Sequence, residues 1–151
     1  MKSKAGRPSR ALGWPLPAGL PPLFMARIRN GPNSLSLSLE PAVTMSARMR
    51  GLMFRQKPAS LLFAFDWTDR HSIHSFFVAF PFDAIYLDER GAVADVFSSV
   101  PPFTPLLIPR APARYLLELA SGDAAKLGAR TGDRLEIYRS AERRAAGIHR
   151  R

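Results

Sequence analysis

The segment ARMRGLMFR, residues 47–55, contains the side chains best suited to bind an anion. On a helix, where successive residues are rotated by about 100°, Arg48 and Arg55 lie about 20° apart with Gly51 on the same flank. Their guanidinium groups would border a site without a side chain, which a carboxylate or phosphate could approach. Alternatively, Gly51 packs the helix closely against a strand and Arg55 pairs with a carboxylate such as Asp83. We favour this structural interpretation, because paired arginines stabilise folds at least as often as they bind ligands.

Asp83 and His74 are the other candidate ligand-binding residues. Asp83 has apolar neighbours, so its carboxylate must be paired, hydrogen-bonded or exposed. If it points inward we expect Arg55 as its partner, and if outward it is an ordinary turn residue. His74 could titrate near neutral pH in a pocket, or hydrogen-bond to a nearby backbone carbonyl. The candidate ligand-binding residues are therefore Arg48, Arg55, His74 and Asp83.

Local motifs for catalysis or metal binding are absent from the sequence. It has no cysteine, which excludes disulfides, thiolate metal sites and a cysteine nucleophile. His71 and His74 would lie on opposite faces of a strand, so they would not share a metal ion. Ser72 and Ser75 lack a nucleophile-elbow sequence, and there is no glycine-rich phosphate loop. We expect no catalytic residue, metal or cofactor, although an acid-base site built from distant positions would leave no local motif.

Most of the chain that positions these residues has strand character. SLSLSLE, residues 34–40, alternates polar and apolar residues, which predicts a half-buried strand. The segments LLFAFDW and SIHSFFVAF are rich in aromatic and β-branched residues, and DAIYLDERGAVADVF predicts two strands joined by a tight turn. Two more strands are predicted from ARYLLELA and TGDRLEIYR.

Two short helices and a proline-rich loop are predicted between the strands. The first helix has an apolar face of Met45, Met49 and Leu52, and the second is capped by Ser121 and ends at Gly128. Five prolines between residues 100 and 113 predict an extended surface loop. The fold class is mainly β (α+β): a compact β-sandwich or barrel-like domain of about six or seven short strands with two short helices.

Length and charge predict one domain flanked by basic tails. A chain of 151 residues can build one ordinary core, which we assign to residues 26–138. The net charge of +10 is concentrated in residues 1–25 and 139–151, which carry +4 each. Such tails could hold nucleic acid or an anionic surface, or they could simply be solvated and disordered.

Residues 1–25 are expected to lie outside the core, either as a disordered extension or as a mis-assigned start, with Met25 as the true first residue. Four prolines interrupt the apolar stretch that resembles a signal peptide. There is also no apolar run of about eighteen residues, the length of a transmembrane helix. We expect a cytoplasmic protein, with export as the alternative.

Several segments together resemble the family named domain of unknown function 192 (DUF192, UPF0127). They are GLMFR at residues 51–55, FPFDAIYLDERGAV at 80–93, PARYLLELASG, and LGARTGDRLEI. Their order and spacing cover nearly all of residues 34–138. The resemblance implies a compact, mainly β domain with short helices and brings no reaction, cofactor or partner. This chain reads HSIHSFFVAFPFD where many members carry a Trp-Met-Lys-Asn-Thr type segment.

Three hypotheses for the function follow. The first is a non-catalytic binding or accessory domain whose small or polymeric, anionic ligand contacts a pocket near Arg55, Asp83 and His74. The second is nucleic-acid or anionic-surface binding through the basic tails. The third is a hydrolase-type enzyme, which requires a pocket containing a titratable group with an altered pKa.

Overall fold

Seven strands and one short helix form the regular structure of the described chain. The computed structural model describes residues 10–17, 23–42, 51–57 and 59–139. The mainly β class predicted from the sequence is confirmed. The elements are β1 (Leu23–Ile28), β2 (Ser34–Ala42), β3 (Ser60–Asp69), β4 (Phe82–Leu87), β5 (Val93–Val100), β6 (Ala113–Ala120), α1 (Asp123–Leu127) and β7 (Leu135–Arg139).

The strands follow the order β5-β4-β6-β3-β2-β1-β7. Neighbours are antiparallel except β2 and β3, which run parallel where Leu39–Ala42 pair with Ser60–Phe63. The two edge strands approach each other through a bridge between Ala92 and Arg134, next to a hydrogen bond from the Val93 amide to the Asp133 carbonyl. The described strands therefore curve toward closure without forming a closed barrel.

The two faces of the central strands are both buried, but against different parts of the chain. On what we call the helix face, Ile85, Leu117 and Leu119 pack with residues of α1, β1 and β7. On what we call the loop face, Phe82, Ala84 and Leu116 pack with residues from the loops around it. The run YLLEL in β6 is buried throughout because alternate residues serve opposite faces.

The expectation that residues 1–25 stay apart from the core is wrong for the part of this segment that the structure describes. Leu23–Ile28 forms strand β1, which pairs with β2 and β7. Upstream, Leu12, Trp14 and Leu16 pack against the helix-face core. The indole Nε1 of Trp14 also donates a hydrogen bond to the Leu135 carbonyl, at 3.2 Å. Apolar side chains spaced between prolines can thus cover a core without regular structure.

The predicted strand SIHSFFVAF, residues 72–80, is wrong. This segment is a loop that contacts the proline-rich loop, to which it is joined by an isolated bridge between Ile73 and Leu107. The five prolines of the proline-rich loop lack amide hydrogens, so a continuous series of strand-to-strand hydrogen bonds cannot form between the two segments. Four hydrogen bonds instead join Ser75 to the proline-rich loop. Its hydroxyl donates to the Pro101 carbonyl and accepts from the Thr104 amide, its amide donates to the Thr104 carbonyl, and its carbonyl accepts from the Phe103 amide.

Of the two predicted helices, one is confirmed and one falls mostly outside the described residues. Met45 and Met49 lie in the undescribed range 43–50, and Gly51–Phe54 forms a turn. Helix α1 ends at Gly128 as expected, in the left-handed conformation. Its N-cap, however, is Gly122 rather than Ser121, and the capping oxygen comes from Asp83. Among the described residues, no helix has the length and apolar character needed to cross a membrane.

Candidate functional site

A small pocket lies between the loop face of the sheet and two of the loops that cover it. Its volume is about 140 Å³. Strands β3, β4 and β6 supply its floor, and the loops 51–57 and 71–81 supply its walls. The lining residues are Gly51, Leu52, Met53, Phe63, Ser72, Ile73, His74, Val78, Phe82 and Glu118.

Glu118 is the acidic residue on the floor of this pocket. It lies in β6 opposite Ala84 of β4, so its side chain shares the loop face with Ala84 and Leu116. Only 5% of its surface is exposed. Among the described residues, its Oε2 atom is buried and has no hydrogen-bond partner. Buried polar atoms are nearly always paired, so this oxygen requires an explanation.

The environment of Glu118 favours the protonated carboxylic acid. Burial raises its pKa from 4.5 to about 8, because the charged form loses its hydration. The positive charge of Arg55 acts in the opposite direction and lowers this pKa. At neutral pH the carboxyl group is therefore mostly uncharged and can donate a hydrogen bond into the pocket.

Arg55 directly follows the turn that contributes Gly51, Leu52 and Met53 to the pocket. Its Nε atom donates a hydrogen bond to the Gly51 carbonyl, at 3.1 Å. Gly51 lines the pocket and has φ 45°, a conformation that suits glycine. Gly51 and Arg55, which the sequence analysis singled out, are thus held together locally, and the positive charge of Arg55 acts on Glu118.

His74 lines the pocket wall, and its ring lies against Phe76 with 5.2 Å between the ring centres. Its Nδ1 accepts a hydrogen bond from the Phe76 amide, at 3.2 Å, rather than bonding to a carbonyl. This bond leaves Nε2 as the nitrogen that carries the proton in the neutral ring. His71 instead stacks on Phe65, at 3.9 Å between centres.

Asp83 lies on the helix face and not in the pocket, so the expected pairing with Arg55 is wrong. It is fully buried and lies opposite Leu119 of β6. Its two carboxylate oxygens accept hydrogen bonds from the amides of Ser99, Gly122 and Ala124, at 2.8, 3.0 and 2.9 Å. Asp83 therefore joins β4 to β5 and to the first turn of α1, which accounts for an acid in an apolar strand.

The structure thus brings together two of the four residues predicted to bind ligand and adds one that the sequence analysis missed. His74 lines the pocket, and Arg55 lies beside it through its hydrogen bond to the lining residue Gly51. Asp83 faces away from the pocket, and Arg48 lies outside the described residues. The missed residue is Glu118. Its signal was the single acid in ARYLLELA, a strand that is otherwise apolar from Tyr115 onward.

Metal binding has no support in the described part of the chain, where no group of three His, Asp or Glu side chains converges. His74 and Glu118 line the same pocket without a third ligand of that kind.

Comparison with known proteins gives a family match over most of the chain. The model of the DUF192 family, described as "Uncharacterized ACR", matches residues 26–137. UPF0127 protein PH1112 of Pyrococcus horikoshii is 34% identical over 93 residues, which cover 60% of this chain and 79% of that protein. UPF0127 protein PF1050 of Pyrococcus furiosus is 33% identical over 94 residues, with 61% and 79% covered.

Two solved structures share the fold. A protein of Sinorhizobium meliloti, described as a candidate transcription regulator, superposes with a TM-score of 0.69 and 28% identity, over 76% of this chain and 92% of that one. A protein of unknown function from Novosphingobium aromaticivorans gives a TM-score of 0.67 and 24% identity, over 76% and 83%. The second likeness concerns the fold alone.

Proposed function

Since the chain belongs to the DUF192 (UPF0127) family, whose description names no activity, we propose its function from the pocket itself: a non-catalytic domain that binds a small anionic ligand. The observation that carries this proposal is the unpartnered Oε2 of Glu118, buried at the floor of a pocket. A ligand that hydrogen-bonds to this oxygen would remove the cost of leaving it unpaired.

The protonation of Glu118 favours a ligand with a hydrogen-bond acceptor at its polar end. With a pKa raised to about 8, the carboxyl group carries a proton at neutral pH and donates it most strongly to an anionic oxygen. Arg55 adds a positive charge near the same group. A carboxylate is therefore the ligand group that matches both residues.

The pocket walls favour an apolar group on the remainder of the ligand. Leu52, Phe63, Val78 and Phe82 are all buried and line the cavity. A cavity of about 140 Å³ accommodates a small molecule and excludes a folded polymer. The proposed ligand class is consequently a small monocarboxylate with an aliphatic or aromatic body.

The test is a binding screen with defined probes. Straight-chain monocarboxylates from acetate to hexanoate, together with benzoate, are titrated at neutral pH and followed by ligand-observed NMR. Glu118→Leu removes the donor and should weaken binding about tenfold or more, as expected for a hydrogen bond to a charged group. Glu89→Leu, a change at an exposed acid, is the matched control and should bind like the parent.

Two results would contradict the proposal. One is equal binding of the carboxylates by the parent and by Glu118→Leu. The other is a preference for the matching alkylammonium series, since a cation would select the ionised form of Glu118.

A second candidate function is acid-base catalysis in the same pocket, as in the hydrolase hypothesis. Glu118 supports it, because a carboxylic acid with a pKa of about 8 suits proton donation near neutral pH. Ser72 and His74 line the same cavity. Turnover of small p-nitrophenyl esters, with a rate that falls as pH rises through 8 and vanishes in Glu118→Gln, would favour catalysis over simple binding.

Binding through the basic tails stays a separate prediction. Residues 1–9 and 140–151 lie outside the described ranges. Binding of a mixed-sequence DNA duplex that weakens with added salt and disappears when residues 140–151 are removed would support it. If the truncated protein still binds the DNA duplex, the contact lies in the domain and not in this tail.

A further inference from the structure

Three loops on the loop face expose large apolar side chains to solvent. Phe54 is 71% exposed, Phe103 65% and Leu106 59%. These values are high for residues of a folded domain, where scattered single apolar residues are normal but a concentrated group is not. We define the aromatic face as Phe54, Phe76, Phe77, Phe103, Leu106 and Ile108.

Direct contacts link the three loops that carry these residues. The rings of Phe54 and Phe77 stack with 5.1 Å between their centres, and the Phe54 amide donates to the Phe77 carbonyl. The Phe103 amide donates to the Ser75 carbonyl, which joins the proline-rich loop to the loop of Phe76 and Phe77. Backbone hydrogen bonds therefore tie the three loops together, and Phe54 and Phe77 are in direct ring contact.

The backbone holds the three most prominent phenylalanines in an unusual conformation. Phe54, Phe77 and Phe103 have φ values of 60°, 59° and 60°, in the left-handed region that bulky residues rarely adopt. Hydrogen bonds from the amides of Phe54 and Phe103 fix this arrangement. An aromatic ring held outward at the expense of backbone strain is expected where the exposed ring has a use.

The charged residues within the loops that carry the aromatic face are all basic. Residues 51–57, 70–81 and 101–112 contain Arg55, Lys57, Arg70 and Arg110 and no aspartate or glutamate. The side chain of Arg110 is 87% exposed, and its Nε atom lies 3.9 Å from the carboxylate of the buried Asp95. The buried acid beneath the loops, Glu118, is kept mostly uncharged at neutral pH. The face thus combines apolar rings with positive charge.

We propose that the aromatic face docks on an anionic lipid surface, with its phenylalanine rings in the interface and its arginines and lysine against the headgroups. This combination of exposed apolar side chains and a basic rim is what peripheral membrane contact requires. A second copy of the chain fits less well as the partner, because a two-fold interface would bring the four basic residues of one copy close to the same basic residues of the other. The proposal does not rest on the ligand of the pocket, although the loops 51–57 and 71–81 carry part of the aromatic face and also form the pocket walls.

The test uses the full chain and vesicles of two compositions. Co-sedimentation is measured with pure phosphatidylcholine vesicles and with vesicles that also contain phosphatidylserine. The variant replaces Phe54, Phe77 and Phe103 by asparagine, which tolerates positive φ and so preserves the fold. Met25→Thr removes an exposed apolar side chain from strand β1 and is the matched control. Circular dichroism and thermal unfolding establish that both variants fold.

We expect the parent to bind the phosphatidylserine vesicles, less strongly as salt is added. The triple variant should bind about tenfold more weakly or worse, while Met25→Thr binds like the parent. Equal binding by the triple variant would assign the contact to the tails and overturn the proposal. Absence of vesicle binding by the parent would also overturn it. So would a parent protein that sediments as a dimer and a triple variant that sediments as a monomer, because the face would then be an interface between two copies of the chain.

Discussion

Asp83 on β4 and Glu118 on β6 lie one residue out of register on neighbouring strands, with their carboxyl groups on opposite faces of the sheet. The consequences for the two acids are opposite. Asp83 accepts three backbone hydrogen bonds and joins two strands and a helix. Glu118 has a buried oxygen without a partner among the described residues and borders a pocket. One acid thus stabilises the fold, and the other is the acid that we propose binds a ligand.

Asp83→Asn should destabilise the domain strongly. The amide nitrogen that replaces one carboxylate oxygen would face backbone donors, so buried amide groups lose their acceptor. We expect the unfolding free energy to fall by about 2 kcal/mol or more in guanidinium denaturation. Asp123→Asn, at the partly buried first residue of α1, is the control and should cost less than about 1 kcal/mol. Equal losses would contradict the role given to Asp83.

Glu118 should make the fold less stable as pH rises. Its pKa is 4.5 in the unfolded reference and about 8 in the folded protein, so between these values only the folded chain keeps the proton. The unfolding free energy then falls with pH by up to about 1.4 kcal/mol per unit and levels off above pH 8. Glu118→Gln, which resembles the protonated acid, should remove this slope, whereas Glu89→Gln should keep it. Parallel stability curves for the parent and Glu118→Gln would refute the assignment.

Arg55→Met should raise the pKa of Glu118 further. Arg55 lowers this pKa through its positive charge, so its removal leaves the effect of burial unopposed. The measurement is a pH titration of the Glu118 carboxyl carbon by NMR. Lys57→Met removes a neighbouring positive charge from an exposed position of the same loop and serves as the control. A pKa that moves equally in both variants would mean that Arg55 has no specific contact with this site.

Trp14→Ala should reveal that residues 10–17 belong to the folded domain. The indole packs edge-on against Tyr115, at 5.1 Å between ring centres, and would collide with a Cβ atom at Gly91. Removal should cost about 2 to 4 kcal/mol, as expected for a large side chain in partly buried surroundings. Trp67→Ala removes an exposed tryptophan and should cost less than about 1 kcal/mol. Similar values for the two variants would indicate that the segment only rests on the surface.

Local sequence patterns predicted strands correctly where the structure depends mainly on residues within the segment itself. The alternation in SLSLSLE and the turn between β4 and β5 are examples, and both are found. The segment SIHSFFVAF failed because its strand character needed a partner with amide hydrogens, and the partner is proline-rich. Trp14 was missed because the prolines beside it exclude regular structure but not packing.

The site was predicted only in part, because it depends on which strands become neighbours. Spacing along a helix drew attention to Arg55 and Gly51. Gly51 lines the pocket, and Arg55 donates a hydrogen bond to its carbonyl. The carboxyl group that Arg55 faces could not be chosen from the sequence, since Asp83 and Glu118 are both acids in apolar strands. The register of β4 against β6 decides between them, and this is a long-range property.

The measurement that tests the central claim most directly is the NMR titration of the Glu118 carboxyl carbon in the parent protein, alone and with saturating hexanoate. We expect the pKa of Glu118 to be about 8 without hexanoate and higher with it. A bound anion that accepts a hydrogen bond from the carboxyl O–H stabilises the protonated acid. A pKa near 4.5 without the probe, or one that hexanoate leaves unchanged, would contradict the claim that Glu118 binds an anionic ligand.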